Sequence, residues 1–300
     1  MYIYYLVIIA VMNYYVSPLA TLEKLVLFRQ TLFGLPWVLL SALLAYSQER
    51  TVHPTLSTWL YIIGAFCAAR FSGMCLNRII DRHIDAKNPR TCQRALPRGE
   101  VSLQTCALLT AFFMGLFLYF TYLLGPLCFQ LSWIIAPLLC LYSYTKRFTL
   151  LCHFVLGLIQ FFGPLCAWVA VTGELSLAPL LLGFALFCAM AAGDIIYACQ
   201  DVEFDRKTKL YSVPAKVGRF RAIALAKVLH TAAVASLFVC GYVLHLSALF
   251  YLSVALVGGL YVYSYRKVND FDSRFAFTNN VSGITLLLCT FGEYVWRVLL

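Results

Sequence analysis

Aspartate is scarce in this chain, with seven in 300 residues, and its spacing is regular where it occurs. Asn77, Asp81 and Asp85 stand four apart, and Tyr197, Asp201 and Asp205 repeat that interval further along; Asp194 precedes Asp201 by seven. Residues four apart share one face of a helix. Each set therefore predicts a stripe of oxygen ligands, with Asp194 two turns higher on the second. Like charges at that interval repel by a few tenths of a kcal/mol, and acids at membrane depth cost more and by default mark function. A divalent cation removes both costs. Magnesium takes oxygen ligands, keeps several waters and is held by one or two carboxylates plus substrate phosphates. Two facing stripes suit two Mg2+ ions with a diphosphate between them, on Asn77, Asp81 and Asp85 and on Asp201 and Asp205. The bland alternative is a set of solvated loop acids balanced by nearby Arg and Lys, and the repetition of the stripe argues against it.

A diphosphate also needs cations. Arg grips two oxygens at once, whereas Lys acts as a point charge. Tyr142-x3-Lys146 followed by Arg147 repeats the four-residue interval, the segment from Asn88-Pro89-Arg90-Thr91 to Arg94-Ala95-Leu96-Pro97 follows the first stripe, and Lys207, Lys209 and Lys216 follow the second. Lys146, Arg94 and Arg147 stand out among these as phosphate contacts, with Lys207 a further candidate. Arg70 lies two turns before Asn77 on the same face, inside an apolar run. A lone guanidinium there is costly, so it either binds the carboxylate of an acceptor or pairs with Asp194. The chain is 16% aromatic, and a subset of those rings facing the site would stabilise an allylic cation.

The elements that must carry these residues are membrane helices. The chain is 62% hydrophobic and 12% charged, against roughly 45–50% and 25% for soluble domains. Apolar runs fall near 22–47, 55–80, 103–123, 128–145, 151–172, 177–200, 222–244, 248–265 and 277–296, each near the span length of about 20 residues. Twenty of the 23 Lys and Arg fall in alternate gaps on one side, which predicts a cytoplasmic side and an odd number of spans. All seven Asp lie on that side. The net charge of +10 is thus an orientation signal; nucleic acid is not an expected partner, since no basic patch interleaves with stacking aromatics on a polar surface. The twelve cysteines contain no Cys-x-x-Cys pair and read as small packing residues. Residues 1–21 form an apolar extension; its Met1–Val16 stretch is a poor signal peptide and reads as a surface helix or as an upstream extension before Met12. Residues 22–300 read as one transmembrane domain.

At this point the residues resemble the UbiA superfamily of intramembrane prenyltransferases. The likeness rests on Asn77–Asp85 (NRIIDRHID), Asn88–Pro97 (NPRTCQRALP), Tyr142–Arg147 (YSYTKR), Asp194–Lys207 (DIIYACQDVEFDRK) and Ser212–Gly218 (SVPAKVG), in order across roughly 22–295. It implies an all-α fold of about nine transmembrane helices around a central cavity with a cytoplasmic cap. It also implies two Mg2+ on the five ligands above, Tyr142 and Lys146 as the Tyr-x3-Lys motif with Lys146 on the diphosphate, and a prenyl tail that leaves sideways into the bilayer. Glu203-Phe204 stands where many relatives have two further aspartates. The stretch Phe28–Pro36 and YACQDVEFD are similar to the 4-hydroxybenzoate polyprenyltransferase-like branch. The expectation is transfer from polyprenyl diphosphate to an aromatic acid such as 4-hydroxybenzoate, for ubiquinone or menaquinone synthesis, with a dihydroxynaphthoate as the alternative acceptor and Asp194 orienting the acceptor or taking its proton. The expected site is the inner (cytoplasmic) membrane, with the active site facing the cytoplasm. A divalent cation transporter is the rival of another class, and it predicts acids near the midplane of broken helices. A CDP-alcohol phosphotransferase needs an Asp-Gly pair followed by Ala-Arg, which neither stripe has.

Overall fold

The computed structural model describes residues 22–23, 25–26, 31, 33–48, 55–266 and 271–299, without the side chains of 272–280 and 296–299. The apolar extension at 1–21 lies outside the described residues. Among the described residues every regular element is a helix: α1 Leu35–Gln48, α2 Leu56–Lys87, α3 Leu103–Leu123, α4 Pro126–Thr145, α5 Cys152–Thr172, α6 Leu177–Ala198, α7 Val202–Thr208, α8 Val213–Val217, α9 Arg219–Val243, α10 Ala248–Ser264 and α11 Phe271–Leu299.

Local chemistry sets the boundaries. Thr55 caps α2 through its hydroxyl, which accepts from the Thr58 N–H at 3.2 Å, and Ser102 caps α3 in the same way at 3.0 Å; both satisfy orphan N–H groups of a first turn. Asn88, followed by Pro89, ends α2, because the residue before proline is pushed out of the α region. Gly173 ends α5 in the left-handed conformation, φ +75°, where glycine carries no Cβ penalty. The first apolar run is interrupted: Phe33 and Gly34 form a turn, and Pro36 enters at the second position of α1, where its missing N–H is harmless.

Six helices, α2 to α6 and α9, are long and apolar enough to cross a membrane; Leu35–Gln48, Ala248–Ser264 and Val281–Val295 are shorter apolar stretches. Length and composition thus define six of the nine expected spans. The burial pattern is that of an integral membrane protein. α3 turns Leu108 and Phe112, 72% and 59% exposed, outward, while polar Asp81, Asp85 and Arg78 are buried. α6 is the central helix, buried along two thirds of its apolar stretch. It packs against α5, α9 and α11. Small residues make the α5–α6 approach possible: a Cβ on Gly157 would come within 2.7 Å of the Phe187 carbonyl oxygen, and one on Gly183 within 2.7 Å of that of Phe161. Without a hydrophobic drive inside lipid, such backbone approach is what joins helices. Among the described residues, a large cavity is lined by α1 to α6 and their connections.

Candidate active site

The apolar run around 55–80 does not stop at its first charge. α2 continues to Lys87, so Asn77, Asp81 and Asp85 ride one uninterrupted helix, as their spacing predicts. Asp81 is 1% exposed and Asp85 4%. Buried carboxylates need partners, and each has them. Asp81 Oδ2 accepts from Lys146 Nζ at 2.6 Å and from Asn77 Nδ2 at 2.8 Å, and Arg147 Nη2 reaches its other oxygen at 3.4 Å. Arg147 also donates to the Ile80 and Ser143 carbonyls, at 2.7 Å each, which pins α4 to α2. Asp85 takes Arg94 Nη1 on both oxygens, at 2.8 and 2.7 Å.

The second stripe is built differently. α6 ends at Ala198, the chain turns through Cys199–Gln200, and Asp201 sits at the N-cap of α7. The expected continuous face from Asp194 to Asp205 is therefore broken after Tyr197, although Asp201 and Asp205 keep helical register through the Asp205 N–H to Asp201 carbonyl bond of 2.8 Å. Arg90 forks onto Asp201, with Nε at 3.0 Å and Nη2 at 2.5 Å, and its Nη1 donates to the Tyr197 hydroxyl at 2.6 Å. Asn88 Nδ2 adds a bond to Asp201 at 3.0 Å. The connection after the first stripe thus clasps the second, and the two acid sets meet at one end of the molecule. Burial pushes the Asp201 carboxyl up, but the hydrogen bonds from Arg90 and then Asn88 outweigh it and hold it below the usual carboxylate range. Asp205 goes the other way: burial raises it, the Ser212 hydroxyl bond at 2.7 Å opposes, and the Asp201 charge adds to the rise. Burial lowers Arg90, but its bond to Asp201 dominates and raises it.

Two adjoining cavities serve this cluster. The smaller, about 130 Å³, is lined by Asn77, Asp81, Tyr142, Lys146, Asp201 and Asp205, together with Ser212 and Asp194. The larger, about 220 Å³, shares Asn77, Tyr142, Asp194 and Tyr197 with it and runs on between apolar side chains such as Ile62, Phe66, Phe117 and Leu139. Along α2 its lining extends from Ile62 to Arg78, roughly 24 Å at 1.5 Å per residue. Arg70 and Arg94 line this larger cavity. Asp194 Oδ2 lies 2.6 Å from His153 Nδ1, and His153 Nε2 faces the Val213 N–H at 3.3 Å.

The structure thus brings Asn77, Asp81, Asp201, Asp205, Tyr142, Lys146 and Asp194 to one polar cavity, with Asp85, Arg94 and Arg147 braced against them and Arg70 deeper in the larger cavity. Lys207 is the exception: it is exposed and lines neither cavity. Two residues along a helix turn about 200°, so a turn that aims Asp205 inward aims Lys207 away. Sequence reasoning passed over Arg78, Arg90 and His153. Arg78 and Arg90 were submerged in the positive count of a membrane loop, and a lone histidine in an apolar run carries no pattern.

A helical membrane protein with buried acids and fixed cations at the mouth of a long apolar cavity belongs to the class that handles amphiphiles with charged heads. The comparisons identify the family. The model of the UbiA prenyltransferase family matches residues 35–281, and the chain belongs to that family. It is 30% identical over 241 residues to a 4-hydroxybenzoate octaprenyltransferase of Shewanella pealeana, covering 79% of this chain and 83% of the relative. It is also 30% identical over 251 residues to that of Nitrosospira multiformis, covering 81% and 85%. Among solved structures, the apo UbiA homolog from Aeropyrum pernix K1 is 28% identical with a TM-score of 0.73, covering 90% of this chain and 98% of that one. A UbiA homolog from Archaeoglobus fulgidus bound to GPP and Mg2+ shares the fold at 16% identity, with a TM-score of 0.67 and coverage of 93% and 100%.

Proposed function

We propose that this protein transfers a polyprenyl group from polyprenyl diphosphate to the ring of an aromatic acid of the 4-hydroxybenzoate kind, with two Mg2+ ions at the acid cluster. The carrying observation is the pair of adjoining cavities, a polar one with acids and fixed cations and an apolar one of tail length. The relatives named as 4-hydroxybenzoate octaprenyltransferases support the acceptor class. The donor set fits magnesium: Asn77, Asp81, Asp201 and Asp205 offer hard oxygens around one cavity. Among the described residues no three ligating acids, cysteines or histidines are gathered in metal-binding geometry, and Lys146, Arg94 and Arg90 occupy the carboxylates instead. Pairs of carboxylates suffice where phosphate supplies the remaining ligands.

The bound metal supplies charge stabilisation for the departing diphosphate. This chain's own residues do the rest. Lys146 and Arg94 swing from carboxylate to phosphate oxygens and stabilise leaving-group charge. The apolar wall excludes water from the allylic cation, and the Tyr142 and Tyr197 side chains line both cavities beside it. The acceptor hydroxyl bonds Asp194, whose orientation is held by His153. Because His153 Nε2 accepts from the Val213 N–H, the ring proton sits on Nδ1 and is donated to Asp194. Asp194 is thereby positioned to orient the ring for attack ortho to the hydroxyl and to take the released proton. The acids lie at one end of α2 and α6, at the site expected to face the cytoplasm from the Lys and Arg bias, and not at the midplane breaks that a transporter needs.

Membranes containing the full chain, supplied with a polyprenyl diphosphate, Mg2+ and a mixture of 4-hydroxybenzoate and a dihydroxynaphthoate, should yield prenylated aromatic acid by mass spectrometry, and none when EDTA replaces Mg2+. Absence of any prenylated acid across donor lengths would sink this reading.

A further inference from the structure

All twelve cysteines are free thiols, and three of them line the two cavities. Cys128 and Cys166 line the larger one, and Cys152 lines the smaller, with Asp194, Lys146 and Asp205. Cys128 donates to the Cys166 carbonyl oxygen at 3.6 Å, a packing contact between α4 and α5. Cys152 keeps different company. It is the first residue of α5, and its side chain hydrogen-bonds that of His153. His153 Nδ1 in turn lies 2.6 Å from Asp194 Oδ2. A thiol, an imidazole and a carboxyl group linked in that order form the constellation of nucleophile, base and orienting acid. The Cys152 sulfur also lies 3.5 Å from the Tyr211 carbonyl oxygen, which fixes the side chain against the segment before α8. Acceptor prenylation employs His153 and Asp194 and leaves the thiol without a task.

With its diphosphate among Asp81, Lys146, Asp201 and Asp205 and its tail in the apolar cavity, an allylic donor spans the junction of the two. The carbon bonded to the diphosphate oxygen then lies among the residues common to both linings, Asn77, Tyr142, Asp194 and Tyr197. Cys152 borders that junction: it is within electrostatic reach of Tyr142, and its partner His153 holds Asp194. Cysteine is the most nucleophilic of the side chains that form covalent intermediates, and an allylic carbon losing diphosphate is an electrophile. We propose that Cys152 is an S-alkylation site, which the prenyl donor modifies when the acceptor's place is empty. The sulfur forms a bond to the allylic carbon, the C–O bond breaks, and its electron pair leaves with the diphosphate. The thiol proton passes to His153 Nε2, which is unprotonated while Nδ1 donates to Asp194, in place of the 3.3 Å bond from the Val213 N–H. The products are a thioether and free diphosphate, with nothing oxidised or reduced. This inference rests on the prenyl diphosphate reading above. Its consequence is a second, self-directed activity of the same site: a bound aromatic acid takes the prenyl group, and without one the chain consumes a single donor and blocks its own polar cavity.

The test withholds the acceptor. The full chain in lipid is incubated with Mg2+ and a polyprenyl diphosphate, with and without saturating 4-hydroxybenzoate, and followed by intact-protein mass, peptide mapping and release of diphosphate. Without the acid, the chain should gain the mass of one prenyl group less one hydrogen, mapped to Cys152, with an equal amount of diphosphate released and acid prenylation lost in step. Saturating acid should suppress the adduct. Cys152→Ser should carry none. His153→Leu should slow adduct formation on the order of 10²-fold, the lower end of what a positioned base contributes, with the prenyl diphosphate KM unmoved. A wild type that prenylates the acid but carries no adduct at Cys152 overturns the inference. So does an adduct mapped to Cys128 or Cys166 instead, which would be the mark of a thiol meeting the tail, and so does an adduct that saturating acid leaves undiminished. Should Cys152→Ser fail to accumulate in membranes, the mapping in wild type decides alone. An adduct at Cys152 in a wild type that prenylates no acid supports the inference and overturns the acceptor class. If wild type neither prenylates an acid nor releases diphosphate, the donor reading itself falls and this inference with it, an outcome distinct from a wild type that turns over and leaves its thiols untouched.

Discussion

The two acid sets carry similar spacing and are built in different ways. Asn77, Asp81 and Asp85 stand on the unbroken α2, with Asp81 and Asp85 almost wholly buried and held from α4 and the loop after α2 by Lys146, Arg147 and Arg94. Asp201 and Asp205 sit past a break, on the seven-residue α7, and depend on neighbours for their placement: Arg90 and Asn88 from the far connection hold Asp201, and Ser212 holds Asp205. A carboxylate on a packed helix keeps its position whatever is bound. One on a two-turn cap helix keeps its position only while its partners do. The first set is therefore a platform, and the second is a part whose geometry is lent by the loops around it.

That contrast is tested first by removing one acid from each set. Asp81→Ala should abolish turnover, and Asp201→Ala should cost on the order of 10³-fold in kcat, since metal-held charge stabilisation is worth several kcal/mol and 1.36 kcal/mol is a factor of ten. Equal Mg2+ requirements in wild type and Asp201→Ala would show that the cap acids are not ligands. A smaller effect comes from the brace between the two regions. His153→Leu removes the donor to Asp194 and the acceptor for Val213, and orienting partners of functional groups are worth about 10- to 100-fold. The loss should fall on kcat and on the acceptor KM, with the prenyl diphosphate KM unmoved, and His153→Asn, which restores a donor near the Nδ1 position, should recover part of it. A rise in prenyl diphosphate KM alone would mean that His153 serves the cap and not Asp194.

The same contrast explains what could be read from the sequence. α3 to α6, α9 and α10 fall within a few residues of the apolar runs, and α2 overruns its own by seven, because, in lipid, a run of apolar residues must be helical to satisfy its backbone. The first stripe was legible since i, i+4 spacing on an unbroken helix translates directly into a shared face. The second was legible as residues and not as geometry. Nothing in Ala198-Cys199-Gln200-Asp201 signals a stop, there being neither Gly nor Pro, and α6 ends where tertiary contacts take over. Glu203-Phe204 departs from the common pattern without disturbing the Asp201 to Asp205 register. Arg90 and Arg78 were hidden by a statistical rule that treats every loop cation as a topology signal. Only coordinates separate a cation that marks a side of the membrane from one that binds a carboxylate.

Proton competition sharpens the difference between the two cap acids. Asp205 has its carboxyl raised and Asp201 lowered, so as pH falls Asp205 takes its proton first and Mg2+ affinity should decline in that order, protons and metal contending for the same oxygens. Ser212→Ala removes the hydrogen bond that opposes the rise, so the Asp205 carboxyl moves further up and the acid limb of Mg2+-dependent activity moves to higher pH. At neutral pH the cost should be only about two- to tenfold, the worth of one hydrogen bond. An acid limb that stays in place would detach Asp205 from the metal.

The smallest effect belongs to Lys207, and it is informative because the residue is two positions from Asp205 in a strongly basic segment. By sequence it is a further candidate for the diphosphate; by structure it is exposed on the outer face of α7. Exposed charges are screened within about 8–10 Å at physiological salt, so Lys207→Ala should leave kcat and the prenyl diphosphate KM within about twofold. Lys146→Ala, a cation of the same type that touches Asp81 at 2.6 Å, should lose on the order of 10²-fold, the scale for removing one preorganised donor. If the two lysines behaved alike, the cap would have to rotate during turnover so that α7 exchanges faces, and its partners Arg90 and Ser212 would be transient clamps. If they differ as predicted, α7 keeps one face to the site, and the borrowed geometry of the second acid set is stable enough to work with.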